Sequence, residues 1–221
     1  MPVNKQAYFE LKSELDALQV TLVAVSKTKP VSDIQELYDL GHRDFGENYV
    51  QEMMDKSIQL PQDVRWHYIG HLQTNKVKQV AGLVQLIHGV DSLKLLQEID
   101  KQGIRSGRVV DCLLQVHIAQ EETKFGLSEA ELELVMSGFD KLKLGNVRIR
   151  GLMGMASFTT EMDKVRKEFR KLKKLFDRVN SLRIPVSSLQ TLSMGMSGDY
   201  RVAIEEGSNM VRIGSLLFGE R

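Results

Sequence analysis

Eight short apolar or β-branched runs alternate with helix-like segments along this 221-residue chain, and the alternation limits the folds open to it. Strands separated by helices pair in parallel, because a parallel neighbour requires a crossover connection. The pattern therefore predicts an α/β protein with a parallel sheet. The runs are Leu22–Val25, Arg43–Phe45, Val64–Ile69, Val84–Ile87, Val109–Ile118, Val147–Ile149, Ser188–Leu192 and Val211–Ile213.

Two parallel architectures fit this pattern, a closed (β/α)₈ barrel and an open doubly wound sheet. Eight units of about 27 residues are short for a barrel but sufficient. An open sheet would normally place a glycine-rich phosphate loop after its first strand, whereas residues 26–30 read SKTKP and contain no glycine. We therefore predict one (β/α)₈ TIM barrel over residues 1–221, since no linker-like segment divides the chain.

Charge and composition exclude several classes of protein. Thirty Lys and Arg balance 29 Asp and Glu to a formal charge of +1, whereas a nucleic-acid binder normally carries a basic excess on one face. No segment approaches the roughly 18 uninterrupted apolar residues of a membrane span, and the N-terminus is unlike a secretory signal. The single cysteine, Cys112, permits no internal disulfide and fits a reducing compartment. We expect a cytoplasmic protein that binds neither nucleic acid nor membranes.

Capping residues mark several expected helix starts. Ser32 is followed three residues later by Gln35, and Ser128 by Glu131. Each pair can satisfy free N–H groups in the first turn of a helix. Thr74, Ser92 and Thr160 are further N-cap candidates. Helices are therefore predicted to begin after these five residues.

The carboxyl ends of the strands are where function collects in such a barrel. Lys27 follows the first strand, and a neutral lysine amine at that place is a nucleophile toward aldehydes; an exposed loop lysine is the alternative interpretation. Gly214 and Ser215 follow the last strand, where N–H groups and a hydroxyl suit an anion, and Ser193 could join them from the seventh strand. With Arg212 nearby, this set suits a small phosphorylated aldehyde.

Two further positions have more than one interpretation. Asn48 follows the second strand and either caps a helix with Gln51 or meets a ligand in the barrel opening. His67 and His71 are four residues apart, a spacing that suggests a metal site, but no third ligand stands at a diagnostic spacing. We expect His67 to line the opening or to pack in the core, and we predict no metal.

Six phrases of the sequence carry a resemblance to a known family, and together they cover almost the whole chain. In order and spacing they resemble the pyridoxal 5′-phosphate (PLP) homeostasis proteins, the YggS/PROSC family, whose fold is related to the N-terminal barrel of alanine racemase (PLP fold type III). The phrases are LVAVSKTKP (22–30), FGENYVQE (45–52), WHYIGHLQTNK (66–76), KFGLSE (124–129), RGLMGMA (150–156) and LSMGMSGDYRVAIEEGSNMVRIGSLLFG (192–219).

The resemblance implies roles for individual residues. Lys27 would carry PLP as a Schiff base, Asn48 would neighbour the cofactor, and Arg212 would face the pyridine nitrogen. Ser215 stands where many relatives have threonine, which keeps the hydroxyl, and Gly198 replaces a residue that is more often acidic. The phosphate would be held by segments 193–194 and 214–215, which contribute Ser193, Met194, Gly214 and Ser215.

The same resemblance implies a function in PLP homeostasis, in which the chain stores or delivers the cofactor without turnover. A racemase needs a second positioned acid/base group, which alanine racemases take from a tyrosine of an additional domain that we do not expect here. A PLP-dependent racemase and a phosphate-binding barrel enzyme without PLP remain the alternatives. We expect PLP and PLP-dependent apo-enzymes as partners, and a monomer.

Overall fold

The computed structural model describes residues 3–119, 125–181 and 189–219. Lys124 of the fourth family phrase and Ser188 of the seventh predicted strand lie outside these ranges. Eight parallel strands form a closed barrel, so the predicted (β/α)₈ fold is confirmed. The strands are Thr21–Val25 (β1), Asp44–Glu47 (β2), Arg65–Tyr68 (β3), Leu86–Val90 (β4), Val110–Gln115 (β5), Val147–Met153 (β6), Thr191–Met196 (β7) and Met210–Ile213 (β8).

Helices surround the barrel, and a short 3₁₀ turn at Thr74–Lys76 precedes the fourth of them. Within the described ranges, no helix is both long and apolar enough to cross a membrane. The α-helices are Lys5–Ala17 (α1), Val31–Asp39 (α2), Val50–Ser57 (α3), Val77–Val80 (α4), Leu93–Ser106 (α5), Glu129–Leu142 (α6), Met162–Ser181 (α7), Tyr200–Glu205 (α8) and Ser215–Phe218 (α9).

Two of the five predicted helix starts are confirmed. Ser92 caps α5 through its hydroxyl, and Ser128 forms a capping box with Glu131 at the start of α6. Thr74 is itself the first residue of a 3₁₀ turn whose N-cap is Gln73, and α7 begins at Met162, two residues after Thr160. The prediction for Ser32 is wrong, because α2 begins directly after Pro30, which occupies the N-cap position. Proline fits the start of a helix, since the N–H that it lacks would have no partner within the helix.

The apolar core has two parts, which strand alternation separates. A small cluster fills the interior of the barrel and contains Val23, Leu86, Leu113, Met153 and Met210. A larger cluster lies between the strands and the helices. Because successive side chains of a strand point to opposite faces, membership of these clusters shows which residues of each strand face the barrel interior.

β7 ends later than its sequence predicts, and this matters for the site. The predicted run stops at Leu192, whereas the strand continues to Met196. Gly195 adopts φ +98°, and the pairing with β8 shifts between Ser193 and Met196. A side chain at position 195 would have its Cβ only 2.7 Å from the Cβ of Ala203. Glycine therefore permits a bulge within the strand, and its presence does not mark the strand's end.

Candidate functional site

The ends of β1 and β2 bring Lys27 and Asn48 to the same level of the barrel. Val25 lies opposite Gly46 in the register of the two strands, and the Ser26 N–H continues the ladder to the Gly46 carbonyl at 3.0 Å. Lys27 and Asn48 each lie two residues beyond the Val25–Gly46 pair. They therefore share the barrel mouth, the end formed by the carboxyl ends of the strands.

β8 lies on the other side of β1 and brings the predicted anion-binding residues to this mouth. Ala24 pairs with Ile213, so Gly214 lies beside the next residue of β1. Ser215 begins α9, and the first N–H groups of a helix have no acceptor within it. Lys27 is thus two residues above the level of Gly214, on the neighbouring strand.

Strand alternation along β1 separates the side chains that face the barrel interior from those that face the helices. Val23 belongs to the cluster inside the barrel, whereas Ala24 belongs to the outer cluster. The hydroxyl of Ser26 also faces outward, where it donates to Glu47 Oε1 at 2.6 Å. Lys27 follows Ser26 and is half-buried. It lies in the turn that follows β1, and we expect its amine to face the mouth, the side opposite to that of Ser26.

Asn48 presents a polar atom that the surrounding protein leaves without a partner. Its Oδ1 is buried and has no hydrogen-bond partner among the described residues. Its carbonyl accepts a hydrogen bond from the Tyr68 hydroxyl at 2.9 Å. The capping interpretation of Asn48 is wrong, because the N-cap of α3 is Tyr49. A buried amide oxygen without a partner is unfavourable in a folded protein, and it suits a site that a ligand completes.

Arg212 lies fully inside the barrel, below the mouth. One of its terminal nitrogens, NH1, donates to the Ser193 carbonyl at 3.0 Å and to the Ser193 hydroxyl at 2.6 Å. The other, NH2, donates to the Gly154 carbonyl at 3.2 Å. Burial lowers the pKa of Arg212 to about 10, so the guanidinium remains a cation at neutral pH.

A hydrogen-bonded chain continues from Arg212 through the barrel interior. Ser193 Oγ lies 3.3 Å from His88 Nδ1, and His88 Nε2 lies 3.0 Å from His67 Nδ1. His67 Nε2 lies 3.1 Å from Asp44 Oδ1. His67 therefore lies in the barrel interior, as predicted. This set, which is buried except for the partly exposed Asp44, is called the interior chain below and consists of Asp44, His67, His88, Ser193 and Arg212.

The two ends of the interior chain have fixed hydrogen-bond directions. A guanidinium can only donate and a carboxylate can only accept, so Arg212 donates to Ser193 and His67 Nε2 donates to Asp44. With both imidazoles neutral, His67 Nδ1 must then accept from His88 Nε2, and His88 Nδ1 accepts from the Ser193 hydroxyl. Complete burial, with His67 and Arg212 nearby, holds the pKa of His88 well below its ordinary value, so that this ring stays neutral.

Asp44 ends the interior chain as a carboxylate. Burial alone would raise its pKa, but hydrogen bonds from Arg65 and His67 lower that pKa well below the ordinary value. Arg65 binds the two carboxylate oxygens at 2.7 and 2.5 Å. The interior chain therefore connects a buried cation near the mouth with a carboxylate near the opposite end of the barrel.

The structure places Ser193 and Met194 away from the predicted phosphate position. Ser193 pairs with Met210, four residues before Gly214, which corresponds to about 13 Å along a strand. Its hydroxyl is fully buried against Arg212. Met194 packs in the outer cluster between strands and helices. The prediction failed here because it ended the seventh strand at Leu192 and so placed both residues in a loop.

Ser197 occupies the place that was predicted for Ser193. It is the first residue after β7, and its Oγ accepts a hydrogen bond from the Gly214 N–H at 3.3 Å. The sequence carried a signal for it, since Ser197 is the first hydroxyl residue after the LSMGM phrase. Correct placement of the strand's end would have identified it.

The two histidines considered for a metal site are in different surroundings. His67 belongs to the interior chain, whereas His71 is exposed, stacks on Phe125 and lies 3.0 Å from an Asp91 carboxylate oxygen. Across the ranges that the structure describes, no group of three or more His, Cys, Asp or Glu is placed to hold a metal ion.

Comparison with known proteins assigns the chain to a family. A family model described as the alanine racemase N-terminal domain matches residues 7–221. The pyridoxal phosphate homeostasis protein of Aquifex aeolicus is 44% identical over 201 residues, which are 90% of this chain and 86% of that protein. The protein of the same name from Homo sapiens is 37% identical over 228 residues, 98% of this chain and 82% of that protein. The chain belongs to the pyridoxal phosphate homeostasis protein family.

Solved structures agree with membership of this family. PipY of Synechococcus elongatus, solved without PLP, is 34% identical and has a TM-score of 0.91, covering 97% of this chain and 99% of PipY. PipY with PLP bound has a TM-score of 0.87 over the same shares. Alanine racemase of Clostridium difficile has a TM-score of 0.76 at 14% identity and is covered over 59% of its length, so it shows that the fold is shared and nothing further.

Proposed function

We propose that this chain binds pyridoxal phosphate at the barrel mouth, holds it covalently on Lys27, and serves the homeostasis of this cofactor without turning over a substrate. The observation that carries the proposal is the strand register, which gathers Lys27, Asn48 and Gly214 at one end of the barrel. The names of the relatives support the same cofactor and the same role.

The residues present fit the chemical groups of pyridoxal phosphate. Gly214 and Ser215, with Ser197 in place of Ser193 and Met194, would hold the phosphate through N–H groups and hydroxyls. Arg212 would face the pyridine nitrogen, and Asn48 offers a buried oxygen that lacks a partner among the described residues. The bound cofactor would supply an aldehyde that condenses with the Lys27 amine, releasing the aldehyde oxygen and the two amine hydrogens as water.

Two features of the site support a carrier and argue against an enzyme. Arg212 cannot share a proton with a ring nitrogen as a carboxylate would, so the ring remains a weaker electron sink. Tyr68, the tyrosine that contacts Asn48, donates a hydrogen bond to the Asn48 backbone carbonyl, and burial raises its pKa to about 12. A racemase needs acid/base groups that exchange protons near neutral pH, and Tyr68 does not meet that requirement.

The test is covalent capture. Purified protein is mixed with pyridoxal phosphate, its visible absorption is recorded, and the adduct is fixed with borohydride and located by mass spectrometry. We expect the label on Lys27 in the wild type, none at this position in Lys27→Ala, and full labelling in Lys76→Ala, which removes an exposed lysine at the same end of the barrel. An unlabelled wild type, or a label elsewhere, contradicts the proposed site.

A separate assay addresses the absence of turnover. The wild type loaded with pyridoxal phosphate is incubated with single enantiomers of several amino acids, and chiral chromatography measures the other enantiomer. We expect no racemisation above that of free pyridoxal phosphate. Racemisation that disappears in Lys27→Ala would identify the chain as an enzyme.

A further inference from the structure

Both peptide groups that flank Lys27 are bound by side chains of α3. The carbonyl of Ser26 accepts a hydrogen bond from Lys56 Nζ at 2.8 Å. The N–H of Thr28 donates to Glu52 Oε1 at 2.5 Å. Lys56 and Glu52 are themselves paired at 2.7 Å, one turn apart on the helix. One ion pair therefore holds the backbone before and after the proposed attachment residue.

The ammonium of Lys56 is buried, and all three of its hydrogens have acceptors. Besides Ser26 and Glu52, Lys56 Nζ donates to Glu47 Oε1 at 2.8 Å. Glu47 is fully buried, and the same oxygen also accepts from the Ser26 hydroxyl. Burial raises the pKa of Glu47, although the Lys56 ammonium opposes this. These four residues, Ser26, Glu47, Glu52 and Lys56, are called the α3 network.

The backbone that the α3 network holds adopts an unfavourable conformation. Thr28 has φ +64°, a left-handed conformation that is uncommon for a β-branched residue. The turn closes through a hydrogen bond from the Lys29 N–H to the Ser26 carbonyl at 3.0 Å. Such a conformation persists only when its surroundings impose it. Here the contacts from Glu52 to Thr28 and from Lys56 to Ser26 do so.

We propose that Lys56 is a positioning residue for covalent attachment at Lys27, acting with Glu52 through the flanking peptide groups. The inference rests on the proposed function. Lys56 lies outside the barrel wall and does not touch the cofactor. Without the α3 network, the turn at 26–29 relaxes and the Lys27 amine loses its orientation toward the aldehyde carbon, while the phosphate cradle on β7 and β8 remains intact.

If Lys56 positions Lys27, its loss lowers the rate of covalent capture but not the affinity for a ligand that cannot react. A purely structural role would change both quantities together. Pyridoxine 5′-phosphate has an alcohol where pyridoxal phosphate has an aldehyde, so its affinity reports on the cradle and the ring contacts alone. The initial rate of borohydride-trapped adduct reports on the orientation of Lys27. Because misplacement of a reacting group by about 1 Å can lower a rate by about a hundredfold, the capture rate is the sensitive measurement.

The experiment compares three variants with the wild type in the full-length protein. Lys56→Met removes the ammonium and keeps a similar length of chain. Glu52→Ala removes the contacts with Thr28 and with Lys56 but leaves the buried pair of Lys56 and Glu47 in place, and it keeps the test open if Lys56→Met does not fold. Lys173→Met is the matched control, since Lys173 also pairs with an acidic residue one turn away, Asp177, but on the exposed surface of α7.

We expect Lys56→Met and Glu52→Ala to lower the capture rate by at least about tenfold, with the affinity for pyridoxine 5′-phosphate changed less than twofold. Hydrogen exchange at the Thr28 amide, measured without cofactor, should accelerate in both variants. Lys173→Met should match the wild type in all three measurements.

Two results would overturn the inference. One is unchanged capture in both variants while the wild type is labelled at Lys27. The other is a parallel loss of capture rate and pyridoxine 5′-phosphate affinity, which would indicate general damage to the site. If the wild type itself is not labelled at Lys27, the proposed function fails first, and the two failures remain distinguishable.

Discussion

His88 is the central member of the interior chain, and its replacement tests how Arg212 is held. His88→Phe keeps a ring of similar size but can neither donate nor accept a hydrogen bond. The Ser193 hydroxyl then loses its acceptor, and His67 Nδ1 loses its donor. His67→Phe is the matched comparison, because it also breaks two bonds of the interior chain but leaves the contact between Ser193 and His88 in place.

The size of the effect follows from the polar groups that each substitution leaves buried without a partner. His88→Phe leaves two, the Ser193 hydrogen and His67 Nδ1, whereas His67→Phe leaves only His88 Nε2, because Arg65 still binds both oxygens of Asp44. Each such group costs about 1–3 kcal/mol, and burial of an apolar ring offsets part of this. We therefore expect His88→Phe to lower the free energy of unfolding by about 2–4 kcal/mol and His67→Phe by about 1–2 kcal/mol.

The two variants should differ in ligand affinity. In His88→Phe the Ser193 hydroxyl is free to rotate, so Arg212 loses a fixed acceptor worth about 1 kcal/mol, or about fivefold in affinity for pyridoxal phosphate. In His67→Phe the acceptor for Ser193 remains, and we expect a change below about twofold.

Urea unfolding of the cofactor-free protein at pH 7.5 measures the stability change, and titration of the visible absorption measures the affinity. Nitrogen NMR of the two histidine rings checks the deduced direction, since both should carry hydrogen on Nε2 alone. Equal affinity losses in the two variants would refute the argument that the interior chain acts on Arg212 through Ser193, and hydrogen on His88 Nδ1 would refute the direction of its bonds.

Two further predictions concern stability and the barrel mouth. Burial lowers the pKa of His42 to about 4, so between pH 6.5 and 4 the unfolded chain binds a proton that the folded chain does not. The free energy of unfolding therefore decreases by about 3 kcal/mol as the pH is lowered through this range. Urea unfolding across this range should show this decrease in the wild type but not in His42→Phe. An identical pH dependence of stability in the two proteins would contradict the prediction. An added Cβ at Gly70 would lie 2.4 Å from the Asn48 carbonyl oxygen, so Gly70→Ala should cost about 1–3 kcal/mol and slow covalent capture. Gly82→Ala, which meets nothing within 4 Å, should leave stability and capture at wild-type values, and equal behaviour of the two variants would show that the close approach at Gly70 is unimportant.

The fold was predictable because each strand of a barrel is buried on both faces. Short apolar runs result, and each of the eight strands overlaps one of the runs recognisable in the sequence. The ends of the strands were less predictable, since a glycine indicates a turn from sequence alone. In β7, Gly195 instead allows a bulge that extends the strand to Met196. The contact of Gly195 with α8 and the pairing of β7 with β8 decide between these two roles of glycine, and both exist only in the folded chain.

The candidate site was predictable where position along a strand determined it. Lys27 and Asn48 each lie just beyond the end of a strand and Arg212 lies within β8, at the chain positions that the sequence predicts; their roles toward a cofactor stay predictions. The sequence predicted a phosphate contact for Ser193, whereas Ser197 lies at that level of the barrel, because the prediction ended β7 too early. Neither Glu52 nor Lys56 stood out, because an acidic and a basic residue one helical turn apart usually form an exposed pair.

The proposed attachment amine and the proposed partner of the ring nitrogen are supported by two separate networks. The α3 network fixes the turn around Lys27 from outside the barrel wall, and the interior chain fixes Arg212 from within. The hydroxyl of Ser26 faces outward to Glu47, which places the α3 network on the side of β1 away from the barrel interior. Because both networks are built on strands and on a helix packed against them, the site is preorganised for its ligand. A preorganised site needs no loop closure to orient its amine, and this suits a protein that takes up and releases a cofactor reversibly. It follows that a variant of the α3 network should lower the rate of covalent capture at Lys27 and leave the contacts of Arg212 unchanged. A variant of the interior chain should instead weaken the contacts of Arg212 and leave the turn around Lys27 unchanged.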